Sequence, residues 1–220
     1  MMKTKAVVFD AYGTLFDVNS ATKRCKDKIG AEWETFANFW RTTQLEYTWL
    51  RSLMKRHKNF WDVTEDSLDK SMKVFGIDKN MKNELLSLYK ILSPYPEVKE
   101  VLEDLKKKNF KLAILSNGTL DLLNELVESN KLNNLFDDLF SIEEVKIYKP
   151  DPRVYEIPIK KYKNKSDEIT FLSANTWDVS GGGNFGYNSI WVNRHNSIFD
   201  ILDFQPKNEI SNLTQLLDIV

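Results

Sequence analysis

The stretch "VVFDAYGTLFD", Val7 to Asp17, sets an acid directly behind an apolar run and follows it with a Gly-Thr turn. The run Ala6–Phe9 has no polar residue at alternate positions, the pattern of a strand covered on both faces rather than one with a wet side. Asp10 alone reads as a turn former or helix N-cap, its carboxylate satisfying nearby backbone N–H groups. What the rest of the chain sets beside it decides whether it is more than that.

Three similar apolar runs follow, at Leu112–Leu115, Thr170–Leu172 and Ser189–Val192. Helix-like segments separate them: Leu120–Ser129, Val154–Tyr162 and a shorter piece around Gly183–Phe185. This alternation predicts an α/β fold built on a parallel sheet. Between the first run and Pro94 the pattern changes, because Phe36, Trp40, Tyr47, Leu50 and Met54 recur at helical spacing and no strand-like run appears. An all-helical insert is therefore expected over residues 18–93. Asp17, Asn19 and Ser20 offer caps at its entrance, Lys79–Leu92 is its last helix, and Pro94 and Pro96 punctuate its exit. Residues 1–17 and 94–220 are left as the core.

With 220 residues, 42% of them hydrophobic, the chain can bury a sizeable core. Its 31 Lys and Arg against 32 Asp and Glu leave a net charge of −1, so no basic field argues for nucleic acid or a membrane surface. The expected partner is a small molecule. Lys3 and Lys5 precede an apolar run far too short for a signal-peptide core, and no later stretch could span a bilayer. Cys25 is the only cysteine, which excludes an internal disulfide and a cysteine-based zinc cluster and fits a reducing compartment. A cytoplasmic protein is expected, with Cys25 as a packing residue. His57 and His195 lie in polar stretches and read as surface histidines.

Polar residues gather behind the apolar runs: Asp10 after the first, Ser116-Asn117-Gly118 after the second, and Ser173 through Asp178 after the third. In an open parallel sheet those carboxyl ends converge on the crevice where ligands bind. One such residue is a cap, but several at one edge point to a site. The segments "FDAYGTLFD", "ILSNGT", "YKPDPRVY" and "LSANTWD" resemble, in order, the four motifs of the haloacid dehalogenase superfamily. Within it they resemble the L-2-haloacid dehalogenases, and "FWRTTQLEYTWLRSLM" in the insert is similar to that family's cap.

The resemblance implies a Rossmann-like core with a helical cap closing over the site. It makes Asp10 the nucleophile, with Thr14 supporting its turn. Ser116 and Asn117 would bind the substrate carboxylate and the halogen side, Lys149 would neutralise the site, and Tyr155, Ser173, Asn175 and Asp178 would complete it. Arg41 would face the substrate from the cap, with Ala11, Tyr12, Leu45, Phe60 and Trp177 around the bound acid. The implied reaction turns a short L-2-haloacid and water into a D-2-hydroxy acid through an aspartyl ester, with inversion at C2. A homodimer is the assembly usual for the resembled family.

A carboxylate can displace halide from an sp³ carbon, leaving an ester that water then hydrolyses. The substrate carboxylate must approach Asp10, and two such charges at ~4 Å repel by about 4 kcal/mol at intermediate dielectric, which Lys149 and Arg41 can offset. Departing halide needs no proton, only donors placed where its charge develops, and Arg41 and Asn117 suit that task.

Position 12 separates this chemistry from that of superfamily phosphatases, which carry a second Asp two residues after the nucleophile to protonate an alcohol and activate water. Here it is Tyr12. The third motif likewise offers one acid, Asp178, with Ser173 and Asn175, where magnesium-binding relatives place paired acids; no metal or other cofactor is expected. The alternatives are a superfamily phosphatase and a non-catalytic binding protein on the same fold. Two departures stand out. Thr42 replaces the Gln expected after the cap arginine, and Gly181-Gly182-Gly183 opens a helix that each Gly should weaken by about 1 kcal/mol.

Overall fold

The computed structural model describes residues 4–220; Met1 to Lys3, and with them the lysine at position 3 and the first residues of the expected core segment, lie outside the described residues. Among the described residues six strands form one sheet: β1 (Ala6–Phe9), β2 (Lys111–Ser116), β3 (Asp138–Ser141), β4 (Ile169–Ser173), β5 (Asn188–Val192) and β6 (Asn208–Ile210). Their spatial order is β3-β2-β1-β4-β5-β6, and every neighbouring pair is parallel. In β1 all four residues are fully buried, with Phe9 set between Ile114 of β2 and Leu172 of β4. The strand order runs one way from β1 to β3 and the other way from β4 to β6. The carboxyl ends of β1, β2 and β4 therefore flank the crevice that such a reversal creates.

The edge strands β3 and β6 were not among the expected runs. β3 reads DLFS and β6 reads NEI, too short and too polar for an apolar run to mark them; each forms by pairing along an existing neighbour.

Between β1 and β2 lie α1 (Ser20–Arg24), α2 (Lys26–Ile29), α3 (Trp33–Leu53), α4 (Phe60–Phe75), α5 (Lys82–Lys90) and α6 (Val98–Lys107). The helix expected over Lys79–Leu92 is split into a single 3-10 turn at Lys79–Met81 and α5, with Asp78 accepting from the Asn80 N–H. Asn19 occupies the N-cap position of α1 without a side-chain cap bond, while Asp17 Oδ1 accepts from the Asn19 N–H at 2.9 Å. On α3 the buried face runs through Phe36, Trp40, Thr43, Gln44 and Thr48. Leu50 and Met54, expected on that stripe, are exposed, because small and amide side chains take over the inward positions beyond Trp40. α4 packs against this face. It is capped by Asn59, whose side chain accepts from the Asp62 N–H, and is stopped by Gly76 at φ 65°, a left-handed position that suits glycine.

The chain leaves for the helices and returns side by side. The Asp17 N–H donates to the Ser93 carbonyl at 2.9 Å, and the Tyr95 N–H to that of Leu15 at 3.0 Å. Next come α7 (Leu120–Ser129), α8 (Pro152–Tyr162) and α9 (Thr176–Phe185). α9 is a ten-residue helix where only a short piece was expected. Its glycines answer to packing. A Cβ on Gly181 would stand 2.5 Å from the Tyr155 hydroxyl and 2.6 Å from Pro150 Cβ, and one on Gly182 would stand 2.8 Å from the Phe171 ring. The helix gives up propensity in order to lie close to β4 and α8. Among the described residues no helix is long and apolar enough to cross a membrane.

Candidate active site

β1 ends at Phe9, and the Asp10 N–H still donates to the Leu172 carbonyl at 2.8 Å, so the strand pairing carries the carboxylate to the crevice rim. A tight turn follows. The Ala11 carbonyl accepts from the N–H groups of Thr14, Leu15 and Phe16 at 3.3, 3.0 and 3.1 Å, and Gly13 takes φ 88°, a conformation glycine alone adopts freely. The turn aims the Thr14 hydroxyl back at Asp10 Oδ2, to which it donates over 3.0 Å, while Thr14 Oγ1 itself accepts from the Ala174 N–H at 2.8 Å.

Asp10 Oδ2 also accepts from Asn175 Nδ2 at 3.0 Å. Asp10 Oδ1 accepts from Lys149 Nζ at 3.2 Å. Lys149 donates as well to Asp178 Oδ2 at 2.8 Å, and the Tyr155 hydroxyl donates to Asp178 Oδ1 at 2.7 Å. These side chains are buried: Lys149 is 1% exposed, Asp178 0% and Asp10 7%. Burial pulls the Lys149 ammonium down, but the charges of Asp10 and Asp178 outweigh it and hold the pKa above the usual lysine range. Burial pushes the Asp178 carboxyl up against the pull of Lys149, with the Asp10 charge acting in the same direction as burial. The Tyr155 phenol is raised well above its usual value by burial and by Asp178, and stays a donor at neutral pH.

Ser116, Asn117 and Ser173 lie at the same edge without touching a carboxylate. Ser116 Oγ accepts from the Gly118 N–H at 3.1 Å, and Asn117 Oδ1 accepts from the Lys149 N–H at 3.1 Å, which leaves the hydroxyl and the NH₂ group as donors. Ser173 Oγ accepts from the Asn175 N–H at 3.1 Å and so shapes the turn that presents Asn175.

The cap supplies the apolar side. Tyr12 is buried, tilted against Phe60 at 5.3 Å between centroids and stacked on Tyr89 at 5.7 Å. Burial raises its phenol well above the usual range, so at neutral pH position 12 holds a neutral hydroxyl and no base. Arg41, half-buried on α3, donates to Gln44 Oε1 at 2.8 Å and has no direct bond to Asp10. Leu45 lies one turn further on, half-buried. Thr42 is exposed. Trp177 stands edge-on to Trp49 of α3 at 5.4 Å, a contact between cap and core.

Sequence reasoning missed the support of Arg41. Gln44 also donates to Thr64 at 2.7 Å and to the Tyr89 hydroxyl at 3.0 Å, and its position three residues beyond Arg41 was a signal open to reading. His57 is corrected. It is half-buried, with Nε2 2.9 Å from Glu143 Oε2 and its ring beside Tyr148, because the loop into α4 packs on the loop that carries Lys149. His195 is exposed and Cys25 buried.

The crevice thus holds a buried carboxylate at the end of the first strand of a parallel sheet, fixed by a lysine, an asparagine and a threonine beneath a helical insert. Residues 4–186 match the family model of haloacid dehalogenase-like hydrolases, and the chain belongs to that family. It is similar to (S)-2-haloacid dehalogenase 4A of Burkholderia cepacia, with 40% identity over 215 residues covering 96% of this chain and 93% of that protein. A crystal structure of a dehalogenase superposes with a TM-score of 0.98 at 37% identity, covering 100% of this chain and 98% of the other. The L-2-haloacid dehalogenase of Xanthobacter autotrophicus, solved with chloropropionic acid covalently bound, superposes at 0.91 with 31% identity over 98% of both chains.

Proposed function

We infer that the protein hydrolyses the carbon–halogen bond of short L-2-haloacids to give D-2-hydroxy acids. The observation that carries this reading is the pairing of a lysine-bound Asp10 with a buried, neutral Tyr12 where a phosphatase needs a second carboxylate. The likeness to (S)-2-haloacid dehalogenases over nearly the whole chain, and to a relative holding chloropropionic acid covalently, supports it.

Asp10 Oδ2 is held by Thr14 and Asn175, which leaves Oδ1, bonded only to Lys149, as the attacking oxygen. The substrate carboxylate is received by the Ser116 and Asn117 donors. Oδ1 attacks C2 opposite the halogen, the C–O bond forms as the carbon–halogen bond breaks, and halide leaves with the bonding pair towards Arg41 and Asn117. Attack from behind inverts C2. Water then adds to the ester carbonyl at Asp10 Cγ, giving its proton to Asp178. Lys149, Thr14 and Asn175 stabilise the charge on the carboxyl oxygens. Collapse breaks the bond between Asp10 Cγ and the ester oxygen, the departing alkoxide takes the proton from Asp178 to leave as the hydroxy acid, and the Asp10 carboxyl gives its remaining proton to solvent, one for each halide.

The Lys149 ammonium stands between Asp10 and Asp178, the place a cation would take in a two-acid site. Among the described residues no group of three or more His, Cys, Asp and Glu side chains could hold a metal ion. The test is halide release from L-2-chloropropionate, undiminished by EDTA, with negligible turnover of p-nitrophenyl phosphate. Magnesium-dependent phosphate release without halide release would overturn it, and silence in both assays would favour a binding protein. We propose further a homodimer, supported by the exposed Leu53 and Met54 on the cap and tested by sedimentation velocity, and a cytoplasmic location, supported by the free thiol of Cys25.

A further inference from the structure

Arg194 follows β5 and enters none of the steps above. Its side chain is 7% exposed and makes three contacts. Nη2 donates to the Thr14 carbonyl at 2.8 Å, Nη1 pairs with Glu97 Oε1 at 2.7 Å, and the guanidinium lies over the Tyr95 ring, 3.7 Å from its centroid. These partners come from two stretches of chain. Thr14 belongs to the turn behind β1, while Tyr95 and Glu97 belong to the return from the cap into α6. Glu97 is fixed in turn by the Leu213 N–H at 3.3 Å. Arg194 thus clasps the nucleophile turn to the returning linker where the Leu15–Tyr95 and Asp17–Ser93 backbone bonds already join them.

Thr14 is fully buried, and its hydroxyl is a direct contact of Asp10 Oδ2. Its carbonyl has no route to water unless the peptide rotates, and rotation of that peptide breaks the Leu15 N–H bond to the Ala11 carbonyl, one of the bonds that shape the turn aiming the hydroxyl at Asp10. A planar guanidinium can serve a carbonyl, a carboxylate and a ring face together, whereas an ammonium is a point charge that cannot.

We propose that Arg194 is a positioning residue for attack on carbon. By holding the Thr14 carbonyl it fixes the Thr14 hydroxyl on Asp10 Oδ2, and so fixes the direction in which Oδ1 faces C2. The proposal rests on the reading of Asp10 as a nucleophile towards 2-haloacids. Arg194 touches no substrate and moves no proton, so its loss should appear in kcat rather than KM and should act through Thr14.

The test is a double-mutant cycle on the full chain with L-2-chloropropionate, reading halide release. Arg194→Gln is expected to lower kcat at least about tenfold while KM stays within about threefold. In a Thr14→Val background, where the link to Asp10 is already cut, the same change is expected to cost no more than about twofold. Should Arg194→Gln not fold, Arg194→Lys, which can keep the Glu97 pair, goes through the same cycle with the same expectation for kcat. A folded Arg194 variant with wild-type kcat would overturn the proposal, and so would equal losses in both backgrounds, which mark a purely structural residue. Failure of the wild-type protein to release halide would overturn the dehalogenase reading itself, a result distinct from a wild type and variant that both work.

Discussion

Lys149→Met removes the ammonium that two buried carboxylates share. Their oxygens lie 3.2 and 2.8 Å from Nζ, hence at most about 6 Å from each other. Without the cation they repel by roughly 3 kcal/mol at an effective dielectric constant of about 20, equivalent to about two pH units. Asp178, already pushed up by burial, should then hold a proton at neutral pH, so the base for ester hydrolysis is lost together with the charge that offsets the substrate carboxylate. We expect kcat for halide release to fall at least about a hundredfold at pH 7. Part of that loss should return as pH rises and Asp178 ionises, whereas in the wild type the raised pKa of Lys149 keeps the ion pair intact through neutral and mildly alkaline pH. Halide release followed from neutral to alkaline pH in a variant shown to be folded is the assay. A kcat within about threefold of wild type, with an unchanged pH profile, would refute the assignment of Lys149.

Arg41→Ala should lower kcat at least about tenfold, a loss of roughly 1.4 kcal/mol of transition-state stabilisation; wild-type kinetics in the folded variant would make Arg41 a solvated helix residue. Gly181→Ala forces a methyl against the Tyr155 hydroxyl and Pro150, which should destabilise the fold by about 1–3 kcal/mol and lower kcat by displacing Tyr155 from Asp178. An unchanged melting temperature with unchanged kcat would contradict the packing account of the glycine run.

The buried centre of the fold was legible because its strands carry their own signal: β1, β2, β4 and β5 are apolar runs, and polar residues stand where they end. β3 and β6 were not legible, since DLFS and NEI become strands only through a neighbour already in place. Asp10, Lys149, Asn175 and Asp178, distant in sequence, were placed together by strand-end logic and by family resemblance, and the structure joins them by hydrogen bonds. Helical spacing marked Phe36 and Trp40 as inward but went astray at Leu50 and Met54, where Thr43, Gln44 and Thr48 take the buried face. The glycine run of α9 looked like a weakness because the atoms that require it, on Tyr155, Pro150 and Phe171, are supplied by other elements. Arg194 gave no local sign at all. Its partners lie at Thr14, Tyr95 and Glu97, and only the folded chain brings them within reach.

The central claim is that Asp10 itself becomes esterified, and an oxygen label reads it directly. With enzyme in excess over L-2-chloropropionate in H₂¹⁸O, water attacks the ester at Asp10 Cγ, so the first-turnover lactate carries the old Asp10 oxygen and the new solvent oxygen stays on the protein. Mass spectrometry should find ¹⁸O in the peptide containing Asp10 and little in the hydroxyl of the first-turnover product. Label in that product, with Asp10 unlabelled, would contradict the account and show that water attacks the carbon.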